Sequence, residues 1–159
     1  MDFYANMGSL LEGLGKRIGL DLAAPDLSDD YFGLAVDKSG VLNMLLQPQR
    51  RTCVLHREFS RDTACLPTDD AAELARRLAF LLGANVMLLG TGGAALGYDE
   101  TSGTLSLSMS YNVPEEVQEG DREAFADAVE AFLESFARWS DHMEQAPGTG
   151  ENMTGMIRV

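Results

Sequence analysis

The stretch most suggestive of chemistry is Gly90-Thr91-Gly92-Gly93-Ala94-Ala95, which fits the G-x-G-x-x-A pattern of a dinucleotide-binding turn and follows the apolar run Val86 to Leu89. A phosphate-binding turn must open a helix, so that free backbone N–H groups and the helix dipole face the anion. Here Gly97, Tyr98, Asp99 and Glu100 follow, and then a Thr101-Ser102-Gly103 turn, so the glycines read as a helix stop leading into a strand. No Lys-Ser or Lys-Thr pair follows them, which removes a P-loop as well. A nucleotide site at Gly90 to Ala95 is the lesser reading.

The other reactive residue types are scattered. His56 and His142 fall in different elements, with no His, Cys or carboxylate at metal-ligand spacing around either. His56 reads as a strand residue facing solvent or an interface. Cys53 and Cys65 form no Cys-x-x-Cys pair and read as reduced thiols. The acid pairs Asp29-Asp30, Asp69-Asp70 and Glu115-Glu116 stand where caps and turns belong. No Gly-x-Ser-x-Gly elbow is present. The expectation is no catalytic residue, no metal and no cofactor: a protein that binds rather than an enzyme.

The elements that carry these residues can be read from hydrophobic periodicity. Phe3, Met7, Leu10, Leu11, Leu14 and Ile18 step by three and four and predict an amphipathic helix, weakened by Gly8, Gly13 and Gly15. Between Tyr31 and Phe59 the period is two: Phe32, Leu34 and Val36, then Leu42, Met44 and Leu46, then Cys53, Leu55 and Phe59. Three strands are expected, with Lys38-Ser39-Gly40 as one turn and Pro48 to Arg51 as the second connection. Asp69 or Asp70 can cap a second helix through Leu74, Leu78, Leu81 and Leu82, continuing into Val86, Met87, Leu88 and Leu89. That end is apolar on more than one face and must be covered by the sheet or by another subunit. A hairpin of Ala94 to Asp99 and Thr104 to Tyr111 follows, and Pro114 ends it. Asp121 is the expected cap of a third helix, whose Phe125, Val129, Phe132, Phe136, Trp139 and Met143 form a heptad-like seam. The prediction is an α+β fold in the order α-β-β-β-α-β-β-α, a twisted antiparallel sheet packed with helices. It occupies residues 1–144, with a flexible tail over 145–159.

The chain has 159 residues, enough for one domain with a sizeable core, and a net charge of −13. Such a charge repels phosphate backbones and anionic lipid, so nucleic acid and membrane surfaces are poor partners. Neither a signal peptide nor an 18-residue apolar run is evident, which points to the cytoplasm. The acid is not spread evenly. Glu115 to Glu144 holds ten acidic and two basic residues, while residues 78–114 carry only Asp99 and Glu100 and no Lys or Arg. An acidic, solubilising helix thus follows a nearly uncharged stretch suited to burial between subunits. Eight methionines add adaptable apolar surface. A protein-binding module is the leading class.

Particular residues sharpen this. Leu81 to Asp99, with the internal Asn85, the Gly-rich exit and the apolar strand ending in Asp, resembles the corresponding part of the class I type III secretion chaperones, the Tir-chaperone-like family of bacteria. Leu105-Ser106-Leu107, the acidic helix from Phe125 to Trp139 and the opening helix with Ile18-Gly19-Leu20 are similar too, so the resemblance spans about residues 1–144. It implies a homodimeric bacterial cytoplasmic chaperone without ATPase activity, which holds the N-terminal segment of a cognate secreted effector in extended form. It places the dimer interface at Leu82, Val86, Leu89, Leu96 and Tyr98. It lays the effector over the first helix and first strands, with Phe32, Leu34, Val36, Met44, Leu46 and Leu55 as candidates. Two alternatives stay open: a chaperone-like regulator that sequesters an anti-activator of secretion genes, and a small adaptor.

Overall fold

The computed structural model describes residues 2–22, 27, 29–37, 40–60, 70–86 and 92–145. Its elements are α1 (Phe3–Ile18), β1 (Tyr31–Asp37), β2 (Gly40–Gln47), a short 3-10 helix (Pro48–Arg50), β3 (Thr52–Glu58), α2 (Ala71–Ala84), β4 (Ala95–Asp99), β5 (Thr104–Asn112) and α3 (Glu119–Gln145). This is the α-β-β-β-α-β-β-α order that the periodicity predicts. The strands make one antiparallel sheet in the order β1-β2-β3-β5-β4, so β1 and β4 are its outermost members. The chain divides into two compact units, Met1–His56 with Met109–Phe132 and Arg57–Ser108 with Leu133–Val159.

In the first unit, the core is made by the stripe Phe3, Met7, Leu10, Leu11 and Leu14 of α1, the inward residues Leu34, Leu42, Met44, Leu46, Cys53 and Leu55, and Phe125, Val129 and Phe132 of α3. The three-and-four spacing on the helices and the alternation on the strands put these side chains on single faces. Helix α1 runs unbroken through its glycines. Gly13 is a contact point: a Cβ there would lie 2.8 Å from Cβ of Arg122, so only hydrogen lets α3 come so close. Gly19 ends the helix in the left-handed region at φ 73°, and Lys16 and Arg17 in the last turn complement the negative end of the dipole. Arg17 then reaches α3, donating to Asp127 at 2.6 Å and Glu130 at 2.7 Å. Between β2 and β3 the 3-10 helix closes on Arg51, whose left-handed backbone (φ 51°) donates to the carbonyl of Pro48.

In the second unit, Asp70 caps α2, its Oδ1 accepting from the N–H groups of Ala72 at 3.0 Å and Glu73 at 3.2 Å. Asp69, the other candidate cap, lies outside the described residues, as do Cys65, Lys38-Ser39 and residues 146–159. The helix is shorter than expected. It stops at Ala84, Val86 belongs to a 3-10 turn, and Met87, Leu88 and Leu89 lie outside the described residues. At the stop the Asn85 N–H donates to the Leu82 carbonyl in a tightened last turn, and its side-chain amide is bonded to the main chain of Leu96 on β4. In the β4–β5 turn Asp99 accepts from Ser102 Oγ at 2.7 Å and the Thr101 N–H at 2.9 Å, which together hold its carboxyl below the usual range. Phe59 stacks on Phe136 of α3 at 4.4 Å, and the Arg57 guanidinium sits 4.2 Å from the centroid of the Phe136 ring.

Helix α3 starts two residues before Asp121, which is not its cap. Asp121 occupies the third helical position and accepts the Gln118 N–H at 2.8 Å, the reach-back half of a capping box, while the Gln118 carbonyl accepts the Arg122 N–H. An acid at that position reaches back to the N–H before the helix, where a cap would accept from N–H groups inside the first turn, and both place an acid at the helix start, which makes them hard to separate by pattern.

Candidate functional site

Strands β1 to β3 have two faces. The register sets Tyr31 opposite Leu45 and Leu45 opposite Val54, and sets Ala35 opposite Val41. These side chains share the face away from the core, where Tyr31 is 46%, Val41 46% and Leu45 41% exposed. The next row is Gly33, Asn43 and His56. Tyr31 donates its hydroxyl to Oδ1 of Asn43, across the position of Gly33. A Cβ on Gly33 would stand 3.3 Å from Cγ1 of Val41 and 3.5 Å from the Tyr31 hydroxyl, so this position suits a residue without one. The result is a face on which the hydrogen-bonding row Gly33, Asn43 and His56 runs between two apolar rows, Tyr31, Leu45 and Val54 on one side and Ala35 and Val41 on the other.

The main chain of β1 adds a second feature. The Leu46 N–H donates to the Asp30 carbonyl at 2.8 Å, which makes that pair hydrogen-bonded and fixes the alternation along the strand. Phe32 and Leu34 therefore direct their main-chain groups at β2, and Tyr31, Gly33 and Ala35 direct theirs outward, at the end of the strand order. An outermost strand of this kind can accept an added strand.

The residues expected to meet an effector fall on the other face. Leu34, Met44, Leu46 and Leu55 are buried in the core of the first unit, and Phe32 and Val36 on the same face are half-buried. Of the five expected at a dimer interface, Leu82 and Val86 are 65% and 64% exposed at the end of α2. Leu96 is buried, Tyr98 is half-buried, and Leu89 lies outside the described residues. The glycine motif does not meet the requirement of a phosphate turn: Gly92 and Gly93 form a turn at φ 65° and 94°, and β4 follows rather than a helix. His56 is half-buried on β3, and His142 lies edge-on to Trp139 at 6.1 Å on α3. The Cys53 thiol is pushed up to about 12 by burial and is unreactive near neutral pH. Sequence reasoning missed Arg57, although the alternation Cys53, Leu55, Arg57, Phe59 points inward at it. Its charge hides a buried position that cation–π contact with Phe136 helps to sustain.

An apolar sheet face, an outward strand edge and an exposed apolar helix end are features suited to contact with polypeptide. The chain belongs to the Tir chaperone protein (CesT) family, whose model matches residues 9–140. It is a chaperone by family and not an enzyme. Among solved structures, it is similar to a chain of the ExsC–ExsE complex, at 18% identity and a TM-score of 0.62, over 95% of this chain and 100% of that one. It is similar to a chain of the HopA1–SchA chaperone–effector complex, at 17% identity and a TM-score of 0.58, over 90% and 98%. A third likeness is to a chain of the heterodimeric ExoU–SpcU complex from the type III secretion system of Pseudomonas aeruginosa, at 15% identity and a TM-score of 0.54, over 87% and 95%. At these identities the structures speak for the fold. No curated protein matches the sequence. Among the described residues, no helix is long and apolar enough to cross a membrane.

Proposed function

We propose that this chain is a cytoplasmic type III secretion chaperone that, as a homodimer, holds the N-terminal segment of a cognate effector in extended form. The observation that carries this reading is the outer apolar row Tyr31, Leu45 and Val54, with Val41 exposed beyond the Asn43 row, on a sheet whose first strand turns main-chain groups outward. Membership of the Tir chaperone family supports it, as does the fold shared with chains of chaperone–effector and type III secretion complexes. An extended client laid on this face gains about 25 cal/mol per Å² of apolar surface covered. Backbone pairing along Tyr31, Gly33 and Ala35 supplies register without demanding one client sequence. Leu34, Met44, Leu46 and Leu55 act in this account as the rigid backing of the surface.

Leu82 and Val86 support the homodimer. Two bulky apolar side chains so exposed at one helix end, in a stretch without Lys or Arg, suit cover by a second copy. The acidic exposed residues Glu123, Asp127 and Glu134 of α3 keep such a molecule soluble.

The test is limited proteolysis of the complex purified from the native cell, with the protected client segment read by mass spectrometry. The expected result is one N-terminal segment of an exported protein. Protection of a folded internal domain, or of a protein that is not exported, contradicts the reading.

A further inference from the structure

Asn85 is the residue at which the sheet's other outermost strand is closed. Its Nδ2 donates to the Leu96 carbonyl at 2.8 Å, and the Leu96 N–H donates to its Oδ1 at 2.7 Å. In an antiparallel pair both main-chain groups of a residue point to the same side, and neighbours along the strand alternate. Leu96 stands opposite Leu107 on β5 but gives both of its groups to Asn85, so they face away from β5, toward the side where a further strand would join. The carboxamide reproduces what such a strand would offer, one donor and one acceptor at peptide spacing. Strand β4 has only five residues, Ala95–Asp99, and Leu96 lies near its start. An incoming strand would have to break both bonds to pair there. The exchange would give up two bonds already made within the chain for two made to the newcomer, so nothing is gained at this position.

We infer that Asn85 is a specificity-determining residue: its amide occupies both outward main-chain groups of Leu96 and closes β4 to strand addition at that position, which leaves β1 as the edge for backbone pairing by an extended client. This deepens the function proposed above and rests on its strand-pairing element. It also assigns the contact with a second copy at this end of the molecule to side chains such as Leu82 and Val86, with no sheet continued from copy to copy. The carboxamide is the group that matters, since Asp in its place keeps the acceptor but sets a second oxygen against the Leu96 carbonyl.

The experiment is amide hydrogen exchange at Leu96, followed by NMR on the full chain without client, at several protein concentrations. The expected result in the wild-type protein is slow exchange that does not change on dilution, because the partner lies in the same chain. In Asn85→Asp and Asn85→Ala, Leu96 exchange should rise at least tenfold, while Val113, whose N–H donates to the Arg51 carbonyl, stays protected as a control for folding. Sedimentation velocity on both variants should show concentration-dependent species larger than the wild type, the consequence of an opened edge. Wild-type protection that disappears on dilution would overturn the inference by showing that another molecule covers Leu96. Unchanged exchange or unchanged sedimentation in the variants would overturn it too. If a variant fails to fold, the wild-type dilution series still decides. None of these readouts involves a client, so a failure of the client proposal would be seen separately.

Discussion

The side chain of Asn6, in the first turn of α1, donates at 2.8 Å to the carbonyl of Glu115, a residue 109 positions later in the chain, and at 3.0 Å to the carbonyl of Pro114. Arg51 donates to the same Pro114 carbonyl at 2.6 Å. Asn6 is completely buried, so this junction between β5 and α3 is held by a polar side chain in the core of the first unit. Asn6→Ala takes the side-chain donor from the Glu115 carbonyl and leaves the Pro114 carbonyl to Arg51 alone, and the expected loss is about 1–3 kcal/mol. Urea unfolding followed by circular dichroism measures it, and a loss under about 0.5 kcal/mol would show that the junction holds without Asn6.

Two glycines of α1 should respond in opposite directions. A Cβ at Gly8 would meet open space, with nothing within 4 Å, so Gly8→Ala should stabilise the protein by about 0.5–1 kcal/mol through helix propensity. Gly13→Ala gains the same propensity but drives a methyl to 2.8 Å from Cβ of Arg122, and should destabilise by about 1–3 kcal/mol. Thermal melts of the pair read the sign directly.

Cys53 gives a pH dependence. Burial raises its thiol to about 12, above the unfolded value near 8.5. The folded state therefore keeps a proton that the unfolded state releases, so this contribution is fully present below about pH 8.5 and is lost as the pH rises from there toward 12. The measurement is alkylation mapped to the Cys53 peptide at about pH 8, near the free thiol's own range. It should be slow in the native protein and fast in denaturant, and equal rates would contradict the burial.

For the dimer, the double substitution Leu82→Glu and Val86→Glu should yield a monomer by light scattering at micromolar concentration. Both side chains are about two-thirds exposed, so stability should change by no more than about 0.5 kcal/mol. A dimer that survives both charges lies elsewhere.

Much of this architecture is legible in the sequence because periodicity reports which residues share a face. Phe3 to Leu14 on α1, the alternation through β1 to β3 and the seam from Phe125 to Trp139 all mark buried surface. What periodicity cannot report is what covers a face. Leu34, Met44 and Leu55 are apolar because the core needs them, and on the opposite face Tyr31, Val41 and Leu45 are the accessible ones, in a less regular pattern broken by Gly33 and Asn43. Hydrogen bonds between distant residues leave no periodic trace either. Asn85 stands out through its resemblance to a family pattern, but its pairing with Leu96 follows only from the fold. Gly13 reads as a weakness in a helix taken alone and becomes a requirement once Arg122 packs against it.

Whether the outer face of β1 to β3 holds an effector segment is tested most directly by purifying wild-type, Leu45→Glu and Leu82→Glu proteins side by side from the native cell and comparing bound proteins by mass spectrometry. The expected result is an exported protein bound through its N-terminal segment to the wild type, retained by Leu82→Glu and lost from Leu45→Glu, with all three chains folded by circular dichroism. The same client recovered at wild-type level with folded Leu45→Glu would contradict it.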